Sequence, residues 1–411
     1  MNKALLSILS LLLLSLTVSA KRIYLPVGVF YYFHTMTICS PGDTLVIKQG
    51  NYGESALMDV QGTSDKPVVI TNEGIVKMGY GDGTRYGLKL EGKYFKLIGD
   101  TNYGFQFTCP VPGVYSGTSI DFNNSSNYEI AYLDIGYTQL GLRSNPNKGG
   151  LMDSINIHHI RFHHTGNPGY DANRCEAIYF GNTDMAYSSE TAPMRFRNLH
   201  IHHCSFDSLM GDGIQIAIAE SFRLDHDTVT NSGLNNLDGQ FTCFLAGGCT
   251  QGTIDSCIAT NCNGPAVQVF GYGKVYVTNN RFVHCGQYKG NNQDIIYISS
   301  KCPDGEPLQT FITGNYIDGG NRFGINNETE PEKYKVGIIT NNEIKNTLSD
   351  AYSPFLKESI SEQHLSFFTI ISTWVRGRKK KVALILAAIL VVVLLIARKR
   401  FSTNKLEKKT A

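Results

Sequence analysis

The feature that most constrains this chain is a short motif that keeps returning: a run of alternating apolar residues, two polar turn residues, then another apolar stretch. It reads Ile155-Asn156-Ile157-His158-His159-Ile160-Arg161-Phe162, and again Leu199-His200-Ile201-His202-His203-Cys204-Ser205-Phe206. Further copies run Phe222–Val229, Gly252–Ala259, Val275–Phe282, Phe311–Ile317 and Ile338–Ile344, and an earlier one surrounds Ile130. With Ile130, Ile157, Ile201, Leu224, Ile254, Val277, Ile312 and Ile339 taken as equivalent, the steps are 27, 44, 23, 30, 23, 35 and 27 residues. A unit with a floor of 23 residues cannot bury an apolar face alone, but it can stack on its own copies as a solenoid, with the longer steps holding inserted loops. Each unit carries a second apolar strand, as in Ala177-Ile178-Tyr179-Phe180, Gly213-Ile214-Gln215-Ile216, Ala266-Val267-Gln268-Val269 and Ile295-Ile296-Tyr297-Ile298. Alternation places Ile178, Ile214, Val267 and Ile296 inward and Tyr179, Gln215, Gln268 and Tyr297 outward. The 41 Gly, 43 Tyr plus Phe, and only 18% charged residues suit such an all-β chain.

The two ends read differently. Residues 1–20 combine Lys3, an apolar run from Ala4 to Leu14 and a Val18-Ser19-Ala20 ending, the pattern of a secretory signal peptide. Val382 to Ala397 is an uncharged run of sixteen residues fenced by Arg and Lys on both sides. Basic stems reaching outward would let it cross a membrane that normally needs about 20 residues. The expected organisation is a signal at 1–20, an exported ectodomain at 21–360 with its clearest repeats at 128–346, a basic juxtamembrane segment at 361–381, a span at 382–397 and a basic tail at 398–411. An apolar core helix and a cleaved sorting signal are alternatives for 382–397. Between residues 21 and 375 there are 25 Lys and Arg against 34 Asp and Glu, a balance of −9. Such a surface offers no general attraction to nucleic acid. All ten cysteines lie between Cys39 and Cys302. Cys262 and Cys285 each follow their coil's marker by eight residues, so stacking sets them side by side, bonded or in contact. Cys204 and Cys257 align too, but Asp227 occupies the coil between them.

From about Cys39 to Asn346 the chain resembles the right-handed parallel β-helix (pectin lyase-like) superfamily of secreted bacterial type. Its opening coils, Pro41-Gly42-Asp43-Thr44-Leu45-Val46-Ile47 followed by Gly62-Thr63-Ser64-Asp65-Lys66-Pro67-Val68, carry the likeness. The resemblance implies the fold and a polysaccharide or cell-surface glycan as partner. No catalytic residue is carried over, because the fold hosts lyases, hydrolases, adhesins and inert spikes.

The residues themselves offer three candidate sites. His159, His203 and His226 share one turn position in successive coils and could hold a metal, a divalent cation such as calcium or another; a polar ladder is the competing reading. Loops in the 44-residue step gather His163, His164, Asp171, Arg174, Glu176 and Arg195, with Asp212 at the place matching Glu176 one coil on. His164, Arg174, Glu176 and Asp212 are the leading catalytic candidates, for glycosidic hydrolysis or uronate β-elimination; Glu176 and Asp212 as turn residues bonding backbone N–H groups are the alternative. Tyr179, Gln215, Gln268 and Tyr297 form a possible sugar-stacking row. The functional expectation is a surface-tethered carbohydrate-active protein, a polysaccharide lyase or glycoside hydrolase relative, with a non-catalytic glycan-binding, adhesive or structural β-helix as the alternative.

Overall fold

The computed structural model describes residues 20–360, apart from stretches at 82–83, 109–115, 123, 145–149, 167–174, 182–193, 238, 289, 291–293, 300–306 and 330–332. Residues 1–19 of the signal peptide expected at 1–20, the basic segment, the apolar run at 382–397 and the basic tail therefore lie outside the described residues, as do Asp171 and Arg174. No helix among the described residues is long and apolar enough to cross a membrane. Two units are distinguished, residues 1–353 and 354–411, of which the second is described only as a helical turn at 354–360.

The larger unit winds as a parallel β-helix: 29 strands among the described residues join one network in which the pairings are parallel. The marker residues pair directly in register, Ile130 with Ile157, Ile157 with Ile201, then Leu224, Ile254, Val277, Ile312 and Ile339 in turn. The structure extends this file toward the N-terminus through Leu97, Ile70, Leu45 and Ile23, where the sequence motif does not recur. Those coils hold long strands such as Tyr86–Ile98 without the paired polar turn residues that flag the later copies. Most of the file is sealed, and each buried Leu or Ile contributes about 1.5–3 kcal/mol. The second-strand file also holds: Ile178, Ile214, Phe244, Val267, Ile296 and Ile325 stack in register, all six fully buried.

Two corners recur in each later coil, and both are made by a residue in the left-handed backbone region. The first file runs Tyr132, His159, His203, His226, Ser256, Asn279, Gly314 and Asn341, with φ between 53° and 71°. The second lies five residues on and runs Tyr137, His164, Ser208, Asn231, Asn261, His284, Gly319 and Asn346, with φ between 52° and 92°. This conformation costs most side chains about 1–2 kcal/mol, and Asn, His and Gly tolerate it best. That tolerance explains the residue types at both corners.

Just past the first corner the backbone turns inward and a buried ladder forms. The Asn280, Asn315 and Asn342 side-chain carbonyls accept the backbone N–H of Cys257, Asn280 and Asn315, at 2.8, 3.0 and 3.1 Å. Their amide groups donate to Ile254, Val277 and Ile312 carbonyls at 3.0, 2.8 and 2.8 Å. Asp227 occupies the same rung and accepts from the Cys204 N–H at 2.8 Å, but its other oxygen is buried without a partner among the described residues. Burial pushes this carboxyl well above its ordinary range. Cys204 and Cys257, on either side of it, are free thiols, as the intervening coil requires.

A buried acid with a raised pKa holds its proton more tightly folded than unfolded, so its burial costs nothing in acid and costs increasingly as pH rises above the ordinary value of 3.8. Asp227→Asn restores the missing donor. It is expected to raise unfolding free energy by about 1–3 kcal/mol at pH 7 in urea titrations, with the gain shrinking toward pH 4.

Candidate functional site

The histidine corner is a stack, not a chelate. His159 lies over His203 at 5.3 Å between ring centres and 3° between planes, and His203 over His226 at 4.9 Å and 5°. The neighbouring file of His158, His202, Asp225 and Asp255 pairs in register beside it. Of the two readings of His159, His203 and His226, that geometry favours the polar ladder over a metal: faces meet, and their ring nitrogens form no converging group of three among the described residues. Each coil instead closes a side-by-side contact, His158 Nδ1 to His159 Nδ1 at 2.8 Å and His202 Nδ1 to His203 Nδ1 at 2.9 Å, while His226 Nδ1 donates to Asp225 at 2.9 Å. His158 Nε2 meets Glu129 at 3.1 Å. Burial, followed by the neighbouring His200 and His158, pushes His202 down to about 4.

The loop cluster forms three sets of partners. His163 Nε2 approaches Asp134 at 3.4 Å, and its Nδ1 lies 3.2 Å from His164, whose ring stacks on Tyr137 at 4.9 Å. Arg195 faces Glu220 at 3.8 Å. Glu176 and Asp212 sit at matching places one coil apart, linked by the Ala177 N–H to Asp212 carbonyl bond at 3.0 Å, and they are 2% and 0% exposed. Their carboxyls bond backbone: Glu176 accepts the Cys175 N–H at 3.0 Å and Asp212 the Thr242 N–H at 2.6 Å. Burial and then the Glu176 charge push Asp212 well above the ordinary range. Asp294, two residues before Ile296 as Asp212 is before Ile214, bonds the next coil's Phe323 N–H in the same way, with Arg322 and Asn326 added. The shared backbone bond makes this an acid position of the winding. The tyrosine row is in register, yet Gln215 and Tyr297 are only 3% and 8% exposed; Tyr297 donates to Glu328 at 2.8 Å and Thr242 to Gln268 at 3.1 Å. The row is therefore partly packed rather than an open face.

A site missed by sequence reasoning lies nearer the N-terminus. The strands Ser55–Gln61 and Tyr86–Ile98 pair Leu57 with Leu90 and then Val60 with Gly92, so Met58 and Asp59 stand against Glu91 alone. This is a bulge, uncommon in parallel pairing, and it re-aims side chains. Asp59 takes φ +59°, and Gly92 is required because a Cβ there would lie 2.2 Å from the Val60 carbonyl oxygen. Beside the bulge lies a cavity of about 330 Å³, lined by Asp59, Glu91, Lys93, Gln61, Asn124 and Leu151 among others, within the usual size range of ligand sites. Gln61 donates to Asp59 at 3.1 Å. Burial, with Asp59 adding to it against an opposing Lys89, holds Glu91 above the ordinary carboxylate value. The only local signal was an acid in each of two apolar strands, Asp59 and Glu91-Gly92, and that becomes visible once register brings them together.

The fold defines the class: the chain is a parallel β-helix protein. No family model matches it, and no curated protein does. Several solved structures are similar to it. An alginate lyase from a Paenibacillus species has a TM-score of 0.49 at 13% identity, covering 80% of this chain and 99% of that one. A mannuronan C-5 epimerase A-module from Azotobacter vinelandii has 0.46 at 12%, covering 76% and 89%. A pectate lyase has 0.40 at 13%, covering 72% and 78%.

The depressed His202 sets the sign of a pH effect. Unfolded chain binds a proton there that the folded corner rejects, so stability is lost as pH falls from 6.5 toward 4. Thermal melts of the wild type and His202→Asn at pH 7.5 and pH 5 check this: the wild type should lose more of its Tm on acidification than the variant.

Proposed function

We propose that the chain is a carbohydrate-active β-helix that hydrolyses glycosidic bonds of an uncharged or weakly charged glycan at the Asp59–Glu91 cavity. One observation carries this reading: a bulge brings Asp59 and Glu91 into the lining of one polar cavity, with Glu91 raised. Glycosidic hydrolysis uses such a pair, one carboxyl held protonated to donate to the leaving oxygen and one ionised to act as base or nucleophile. Glu91 is assigned the acid and Asp59 the base or nucleophile, while Gln61 and Asn124 are placed to bond sugar hydroxyls and Leu151 offers an apolar surface to the ring. Uronate β-elimination fits less well. It needs cationic groups to neutralise the substrate carboxylate, whereas the lining of this cavity holds one lysine, Lys93, beside two carboxyls. The ectodomain balance of −9 likewise repels anionic polymers. The apolar N-terminal segment and the fenced run at 382–397 support export and tethering of the β-helix at a membrane surface.

The test is a panel of neutral and uronate glycans scored for new reducing ends and for the ultraviolet absorbance of unsaturated products. Reducing ends from a neutral glycan are expected, without unsaturated products. Activity should fall on the alkaline side as Glu91 loses its proton, and Glu91→Gln should lower kcat about 100-fold or more with an unchanged melting curve. Release of unsaturated uronates, or full activity in Glu91→Gln, contradicts the assignment.

A further inference from the structure

The aligned Cys262 and Cys285 form two thirds of a buried thiol cluster. Cys262 and Cys285 each follow a left-handed residue of the second corner, Asn261 and His284, and their coils pair Thr260 with Val283. Ser232 holds the same place one coil earlier, after Asn231, where Thr230 pairs with Thr260. The file therefore reads Ser232, Cys262, Cys285. Cys243 joins it from outside the file, at the entry to the strand Phe244–Asp255, where the chain returns from the loop that follows Ser232. The three sulfurs all lie within 4.8 Å of one another, each 0% exposed, and the Ser232 Oγ is 3.2 Å from the Cys243 Sγ. Among the described residues this is the one group of three metal-ligating side chains that converges.

We propose that Cys243, Cys262 and Cys285 bind one thiophilic d10 ion, zinc(II) or copper(I), as a structural staple across three coils. Three thiolates around an ion at about 2.3 Å sit about 4 Å apart, so the observed triangle needs only a small inward adjustment. Ser232 supplies an oxygen beside the open position. A disulfide would use two of the three sulfurs and leave the third buried with no role, whereas an ion uses all three. Each S–H that becomes a metal–sulfur bond gives its proton to solvent, and no electron is transferred. Because the triad is sealed, the ion enters while the coils are closing rather than by diffusion into the folded solenoid, which couples its binding to folding.

The experiment uses the full chain purified in detergent. Elemental analysis should find one zinc or copper per chain, and the element found decides between the two ions. X-ray absorption at that metal's edge should show a sulfur shell of about three atoms near 2.3 Å. Refolding with zinc(II) alone or copper(I) alone, against refolding with a chelator, should raise Tm by several degrees with the cognate ion. Cys243→Ser should lose the ion, while Cys204→Ser, outside the triad, should keep it. Peptide mapping without reductant that finds a stoichiometric disulfide between any two of the three overturns the proposal. So does a metal-free chain whose Tm responds to neither ion.

Discussion

Everything in this molecule depends on the backbone ladder between successive coils being held in constant register. Parallel pairing sets neighbouring strands about 4.8 Å apart, and any residue then meets its equivalent in the next coil. Ile157 against Ile201, Phe162 over Phe206 at 4.7 Å and 2°, and His159 over His203 are the same relation expressed in aliphatic, aromatic and imidazole side chains. Loops enter and leave without disturbing it, because the left-handed residues at the two corners return the chain to the same place. His159 and His203 are separated by 44 residues and His203 and His226 by 23, yet their rings stack alike.

Such stacking amplifies whatever is placed in a file. Asparagines in the inner ladder satisfy donor and acceptor on every rung, so the file is self-consistent until Asp227 interrupts it with an oxygen that meets no donor. Acids before the second strand bond the next coil's backbone at both Asp212 and Asp294, but only Asp294 gains an arginine. The solenoid thus carries local costs on a winding stable enough to absorb them. The Asp59 bulge is a different kind of departure: it breaks register itself, and two of its residues, Asp59 and Glu91, line the cavity.

Much of the winding was legible in the sequence because apolar alternation and polar corners leave a periodic trace. The marker file from Ile130 to Ile339, the inward Ile178, Ile214, Val267 and Ile296, and the adjacency of Cys262 and Cys285 all follow from counting. The earlier coils were less legible, since long strands such as Val68–Met78 lack that punctuation. Function was hard to read for a related reason. Stacking converts conspicuous residues such as His203 and Asp212 into ladder members and turn acids, so abundance of chemistry-bearing side chains marks the corners. Asp59 and Glu91 were invisible because a bulge is a relation between two strands, and Cys243 was missed because it reaches the Cys262–Cys285 file from another part of its coil.

The central claim is that register, rather than local sequence, holds the solenoid together, and coil deletion tests it most directly. Ile254 and Val277 are register partners 23 residues apart, so removing 254–276 joins Thr253 to Val277 and preserves every inward and outward position. Removing 254–275 joins Thr253 to Tyr276 and turns the following strand inside out. Circular dichroism with thermal melting should show a cooperative β-sheet transition for the 23-residue deletion and none for the 22-residue deletion. Equal cooperativity in both, or its loss in both, would contradict the account.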